Sequence, residues 1–305
     1  MTAHNDLPSD TFHRADVTFP SQGEDCAAWL YGPAGAQGPR PCVILAHGLG
    51  ATRTGRLDAF AERFAAAGFN ALVFDYRYFG DSSGQPRHLT SIKAQLRDWR
   101  AAVDFARRVP GVDPARIALW GTSFSGGHVV LTAAEDPAVA AVISMNPFLD
   151  GRTTLFGTPP SQALALGWAG LRDTARAVLN RAPHLVPAVG GAGAKAAMAS
   201  TEALEGFRAM FPAGSPPSTE VSARILLRLG HYRPVTRATR VVCPWLLQAG
   251  TTDDITPAGP VRRAVARAPR AQMSLYEGGH FSPYTGAAFE QVVAEQIRFL
   301  SEHLR

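Results

Sequence analysis

The sequence predicts an α/β fold: a mostly parallel, doubly wound sheet with helices on both faces and one helical insertion. Three observations predict it. Short apolar runs alternate with segments of helical periodicity. The alternation halts after Asn146-Pro147 and resumes near Val241. Glycine-rich turns follow several of the apolar runs, at the end of the strand where doubly wound sheets carry their sites.

Taken in order, Asp16 to Tyr31 reads as an antiparallel pair turning around Gly23-Glu24. The strands that follow are Val43 to Ala46, Ala71 to Phe74, Ile117 to Trp120, Val139 to Ser144, Trp245 to Gln248 and Met273 to Tyr276. Leu57, Phe60, Ala61 and Phe64 form one helical face ended by Gly68, and Ile92 to Val109 repeats the pattern, so the sheet has its crossovers. Residues 151–240 are far too long for a loop. Within them Ser161 to Ala182 and Ser200 to Met210 read as helices, separated by Pro183 to Gly193 and followed by a proline-rich break, Pro212 to Pro217. This gives a core of 1–150 and 241–305 interrupted by a helical cap, or lid, at 151–240. Leu155, Phe156, Leu164, Leu166, Trp168, Leu171 and Phe207 are expected to pack among the cap helices and in part to line a hydrophobic pocket, with Phe156 and Trp168 as substrate contacts.

Composition narrows the classes. The chain of 305 residues is 46% hydrophobic and carries a formal charge of +5, an ordinary globular balance. Its cations are nearly all arginine and are scattered; Lys93 and Lys195 are the two lysines, and clusters stop at pairs such as Arg107-Arg108, which argues against nucleic acid. Met1 to Arg14 lacks the apolar core of a secretory signal, and the most apolar stretch, Ala163 to Leu171, is soon broken by Arg172 and Asp173. A cytoplasmic protein without a membrane partner is expected. Cys26, Cys42 and Cys243 are odd in number and read as reduced thiols, and no histidine pair has metal-ligand spacing, so no metal is expected.

The chemistry starts at Gly121-Thr122-Ser123-Phe124-Ser125-Gly126-Gly127, directly after the run Ile117 to Trp120. A serine in a tight, small-residue turn at a strand end reads as a nucleophile elbow, with small neighbours because the turn is strained and the next helix packs close. The usual pattern has glycine where Ser125 stands. Ser125 is also the rival nucleophile, and it loses because the strand ends at Trp120, leaving Ser123 at the top of the turn. A serine hydroxyl needs a base, and the base an orienting carboxylate. Asp253 or Asp254, in Gly250 to Pro257, and His280, in Glu277-Gly278-Gly279-His280-Phe281, supply them in the order acid then histidine. The loop His47-Gly48-Leu49-Gly50 offers the Leu49 amide as one oxyanion donor, and the Phe124 amide at a helix start is the second.

These motifs, with Phe74-Asp75-Tyr76-Arg77-Tyr78-Phe79-Gly80-Asp81-Ser82-Ser83-Gly84, resemble the alpha/beta-hydrolase superfamily from roughly Phe19 to Leu300, the cap excepted. Within it the chain looks like the dienelactone-hydrolase-like and acyl-peptidase-like branch. The resemblance implies Ser123 as nucleophile, Asp253 as acid because it lies four residues before Pro257, His280 as base, and Leu49 and Phe124 as oxyanion donors. It implies two-step acyl transfer to water with no cofactor. Tyr78 is a further expected pocket residue, while His47, His128, Asp75 and Asp81 read as structural. The predicted partner is a small hydrophobic ester or lactone, such as a polyketide-like macrolactone; an acyl-peptidase, a thioesterase and a non-catalytic ligand receptor are the alternatives. A homodimer through the cap or an edge strand is left open by the sequence.

Overall fold

The chain opens with a long hairpin, β1 (Phe12–Ser21) and β2 (Glu24–Pro33), in which Ser21 pairs with Glu24. Gln22 and Gly23 both take positive φ, 51° and 88°, the paired left-handed turn whose twist matches the strands it joins. There follow β3 (Arg40–Ala46), α1 (Leu57–Ala66), β4 (Asn70–Phe74), α2 (Ile92–Ala106), β5 (Val112–Thr122), α3 (Phe124–Glu135) and β6 (Ala141–Met145). An insert then supplies α4 (Gly151–Gly157), α5 (Pro160–Val178), the short strands β7 (Leu185–Pro187), β8 (Val189–Gly190) and β9 (Met198–Ala199), α6 (Ala203–Ala209), β10 (Glu220–Ser222) and α7 (Leu226–Leu229). The chain returns with β11 (Trp245–Gly250), α8 (Gly259–Val265), β12 (Ala271–Tyr276) and α9 (Gly286–Leu304). The computed structural model describes residues 11–35, 37–211 and 220–305; the predicted break Pro212 to Pro217 and the first ten residues lie outside them.

Eight strands form one sheet in the order β1-β2-β4-β3-β5-β6-β11-β12. The first three are antiparallel neighbours and the rest are parallel. Cys42 to Ala46, Ala71 to Phe74, Ile117 to Trp120 and Ala141 to Met145 are buried without interruption. That is why they read as continuous apolar runs rather than alternating ones: helices cover both faces. Several boundaries shift from expectation by a few residues. β5 begins earlier, at Val112, and α2 stops at Ala106, because Pro110 bars Val109 from helical backbone. Among the described residues no helix is long and apolar enough to cross a membrane. The three cysteines are free and buried, and burial pushes the Cys42 thiol up to about 12 and that of Cys243 to about 11.

The insert is built around α5. Asn180, at φ 51°, turns the chain just beyond the helix, short of the predicted Ala182. Asp173 is fully buried on the inner side of α5 and accepts the His184 amide at 2.8 Å, the Arg224 amide at 2.8 Å and the Arg224 guanidinium at 2.7 and 3.0 Å. Burial pushes this carboxyl up, but Arg224 and the two amides outweigh it and hold it below its ordinary value. Gly170 lets the α7 region approach, since a Cβ there would sit 2.7 Å from Leu227 Cγ. At the roots of the insert, the Gly151 amide donates to Tyr232 O at 2.9 Å and Arg233 Nε to Asp150 at 2.8 Å.

Candidate active site

The turn from β5 into α3 is shaped by what glycine permits. A Cβ on Gly121 would lie 2.3 Å from Ser125 O, and one on Gly127 2.5 Å from Phe148 O. Ser123 itself takes φ 54°, ψ −118°, a region few non-glycine residues adopt and one that costs roughly 1–3 kcal/mol. The surroundings impose it: the Ser123 amide donates to Met145 O at 2.9 Å, and its carbonyl accepts the Phe148 amide at 2.8 Å. Ser125, where the usual pattern has glycine, is fully buried and shares a 2.8 Å hydrogen bond with the Tyr76 hydroxyl, which also accepts Trp99 Nε1 at 2.8 Å. That network explains the exchange of glycine for serine and removes Ser125 from the surface where a substrate arrives.

Asp253 and His280 leave the C-terminal ends of β11 and β12 and meet: His280 Nδ1 donates to Asp253 Oδ2 at 2.8 Å. With Nδ1 so engaged, Nε2 is the nitrogen left to act as base. The carboxylate is buried and also accepts the amides of Ile255 at 2.9 Å and Thr256 at 2.7 Å and the Thr256 hydroxyl at 2.8 Å. Burial pushes Asp253 up, yet His280 and Thr256 outweigh it and hold it below the usual carboxylate range, so it stays charged. Asp254 is exposed and makes no such bond to His280 among the described contacts.

Two residues not found from the sequence tie these pieces together. Thr256 Oγ1 lies 3.0 Å from both Asn146 O and His280 Nδ1. Asn146 donates its side-chain amide to His280 O at 2.8 Å and accepts the Tyr276 hydroxyl at 2.7 Å. The end of β6 is therefore the bridge: Ser123 hangs from Met145, and the acid–histidine pair hangs from Asn146.

The loop after β3 approaches the serine closely, for a Cβ on Gly48 would lie 3.0 Å from Ser123 Cβ. Leu49 and Phe124 flank Ser123 in the same cavity wall. Phe124 opens α3, so its N–H is one of the unpaired helix-start amides, aided by the positive end of the helix dipole. The loop is pinned by buried groups. His47 Nδ1 donates to Gly48 O at 2.9 Å, and burial pushes its pKa down, keeping the ring neutral. Buried Asp75 accepts the Arg53 amide at 2.7 Å and pairs with the Arg53 guanidinium, which also reaches Asp81 at 2.7 Å and lies 4.6 Å over the Trp29 ring.

Above Ser123 lies a cavity of about 340 Å³. Leu49, Phe124, Phe148 and Ile255 wall it from the sheet side, while the insert contributes Thr153, Thr154, Thr158, Gln162, Leu166, Met198 and Leu229. Asp254 is the charged residue in this wall. The predicted contacts Tyr78, Phe156 and Trp168 are elsewhere. Phe156 and Trp168 are 83% and 72% exposed on the outer side of the insert, because α4 and α5 present their threonine, glutamine and Leu166 side chains inward. Tyr78, at φ 73°, packs its ring against Gly84, 2.5 Å from where a Cβ would be, and closes its own loop instead.

A doubly wound sheet carrying a strained serine after β5, an acid after β11 and a histidine after β12 defines a serine hydrolase of the alpha/beta-hydrolase class. The chain belongs to the serine aminopeptidase S33 family, whose model matches residues 37–281. It is 44% identical over 285 residues to the quorum-quenching protein AidA of Acinetobacter baumannii, covering 93% of each chain. It is 28% identical over 277 residues to the thiohydrolase aneE of Aspergillus aculeatus, covering 87% of this chain and 86% of that one. The crystal structure of the alpha/beta hydrolase GrgF from Penicillium superposes with a TM-score of 0.79 at 23% identity, over 96% of this chain and 99% of that one.

Proposed function

We propose that the protein hydrolyses a carboxylic ester or lactone of a hydrophobic, uncharged substrate through an acyl-enzyme on Ser123. The observation that carries this reading is the His280–Asp253 pair hung from the same strand end that holds the strained Ser123. His280 Nε2 takes the Ser123 proton as Oγ attacks the ester carbonyl. The Leu49 and Phe124 amides stabilise the negative charge that gathers on the carbonyl oxygen, and His280 then protonates the departing alkoxide. In a lactone the leaving alcohol stays tethered to the acyl group. Water, deprotonated by the same imidazole, attacks the ester, and the carboxylic acid leaves. Asp253 keeps the proton on Nδ1 and stabilises the imidazolium.

The apolar sheet-side wall and the insert over it, read as a cap over residues 151–240, support a hydrophobic acyl group. The threonines and Gln162 supply neutral hydrogen-bonding groups suited to a lactone or ester carbonyl. Similarity to a quorum-quenching protein supports a lactone in particular. Similarity to a thiohydrolase makes a thioester the second reading, since the same machinery opens it. A cytoplasmic location fits the reading.

The test is covalent. A fluorophosphonate probe should label the native protein and leave Ser123→Ala unlabelled, with ester turnover in the variant reduced by at least about 10⁴-fold. An unlabelled native protein would point instead to a ligand receptor on this fold. A panel of aryl esters, hydrophobic lactones, acyl thioesters and aminoacyl amides then separates the substrate classes. Turnover of the amides alone would overturn the ester and lactone assignment.

A further inference from the structure

The outer side of the insert exposes an apolar surface that the hydrolytic reading does not use. On α5, Leu164 is 76% exposed, Trp168 72%, Leu171 54% and Val178 77%. Leu179 follows at 62%, and α4 adds Leu155 at 53% and Phe156 at 83%. At about 100° per residue, the α5 positions 160, 164, 167, 168, 171, 175, 178 and 179 fall within roughly 60° of one line along the helix. Those residues are Pro, Leu, Gly, Trp, Leu, Ala, Val and Leu, with Ser161 as the single polar member of the sector and Arg172 just beyond it. The opposite side of the same helix is already satisfied, by Asp173 on Arg224 and by Gln162 and Leu166 in the cavity wall. The exposed stripe is thus not a core side left uncovered by the fold of one chain.

We propose that this stripe is the interface of a two-fold homodimer, with α5 packed antiparallel against α5 of a second copy. Two observations select a second copy. The stripe is self-complementary in size about a two-fold axis at Leu171. Antiparallel packing there sets Leu164 level with Val178 of the other copy, and brings the largest member, Trp168, within one residue's rise of the small Ala175. The 4-3-4-3 spacing of 164, 168, 171, 175 and 178 is that of a seam between two helices. The area is also sufficient. From these exposures the five large side chains of the stripe, Leu164, Trp168, Leu171, Val178 and Leu179, present roughly 700 Å² per chain, within the ~600–1,000 Å² per partner of a stable interface.

The chain of 32.5 kDa should run at twice that mass in light scattering after gel filtration at micromolar concentration. Leu171→Glu, and separately Trp168→Glu, should run at the single-chain mass, keep fluorophosphonate labelling and melt at a temperature independent of protein concentration, since neither side chain belongs to the core of one chain. Leu171→Cys should form a disulfide-linked dimer under mild oxidation, against a silent background because the native thiols are buried. Val178→Cys alone should not cross-link, whereas the Leu164→Cys/Val178→Cys double variant should. Association should persist in high salt, because what it buries is apolar. A native chain that is monomeric at tens of micromolar, or a dimer that survives Leu171→Glu, would overturn the proposal. So would a monomer that sediments with phosphatidylglycerol vesicles through Leu171 and is released by salt, which would make the stripe a lipid-binding surface.

Discussion

Two serines two positions apart, 123 and 125, have opposite environments, and that difference makes the first testable claim. Ser125→Ala should keep probe labelling and lose about 1 kcal/mol of stability through its bond to Tyr76, measured by urea titration. Asp253→Asn should lower kcat by about 10⁴-fold, because the carboxylate orients the imidazole. Asp254→Asn, at an exposed carboxylate, should change kcat far less in the same assay. Ser123 and His280 were legible because each stands among small residues just beyond an apolar run. Thr256 and Asn146 were not. Their hydrogen bond spans 110 residues of sequence and exists only because β6 and β11 are neighbours in the sheet.

The central strands were readable as elements because burial on both faces writes itself as an unbroken apolar run. The helix α5 was readable as a helix but not as a surface. It carries apolar side chains on both sides, and the outer set, with Leu164, Trp168 and Leu171, is the bulkier, so hydrophobicity alone pointed the pocket the wrong way. The inner side is marked instead by Gly170 and the buried Asp173, a small residue and an acid awaiting an arginine. The helix α3 offers a sharper test of close packing. Gly127→Ala would place a methyl 2.5 Å from Phe148 O and 2.7 Å from the Tyr232 hydroxyl, and should destabilise by about 3 kcal/mol or more, seen as a lowered melting temperature.

For the molecule as a whole, one pH lever is His128, buried between α3, α2 and Tyr232. Gln95 Oε1 accepts from its Nε2 at 2.9 Å, and its Nδ1 accepts the Tyr232 hydroxyl at 2.6 Å. Burial, helped by nearby His47, pushes its pKa from 6.5 down to about 3. Between those values the unfolded chain holds the extra proton, so stability should fall as pH is lowered through that window, by up to about 1.4 kcal/mol per pH unit from this one group. Urea midpoints at pH 8, 6 and 5 should decline for the native protein and decline less steeply for His128→Gln, which starts lower because it loses part of the network. Tyr232 also accepts, through its carbonyl, the Gly151 amide, so the two ends of the insert are fastened to each other. A segment whose two ends are already fastened together can lengthen, shorten or be exchanged without the strands on either side registering the change. The protein is therefore a natural recipient for grafts: a relative's segment spliced between Gly151 and Tyr232 should fold on this sheet and bring its own substrate preference with it.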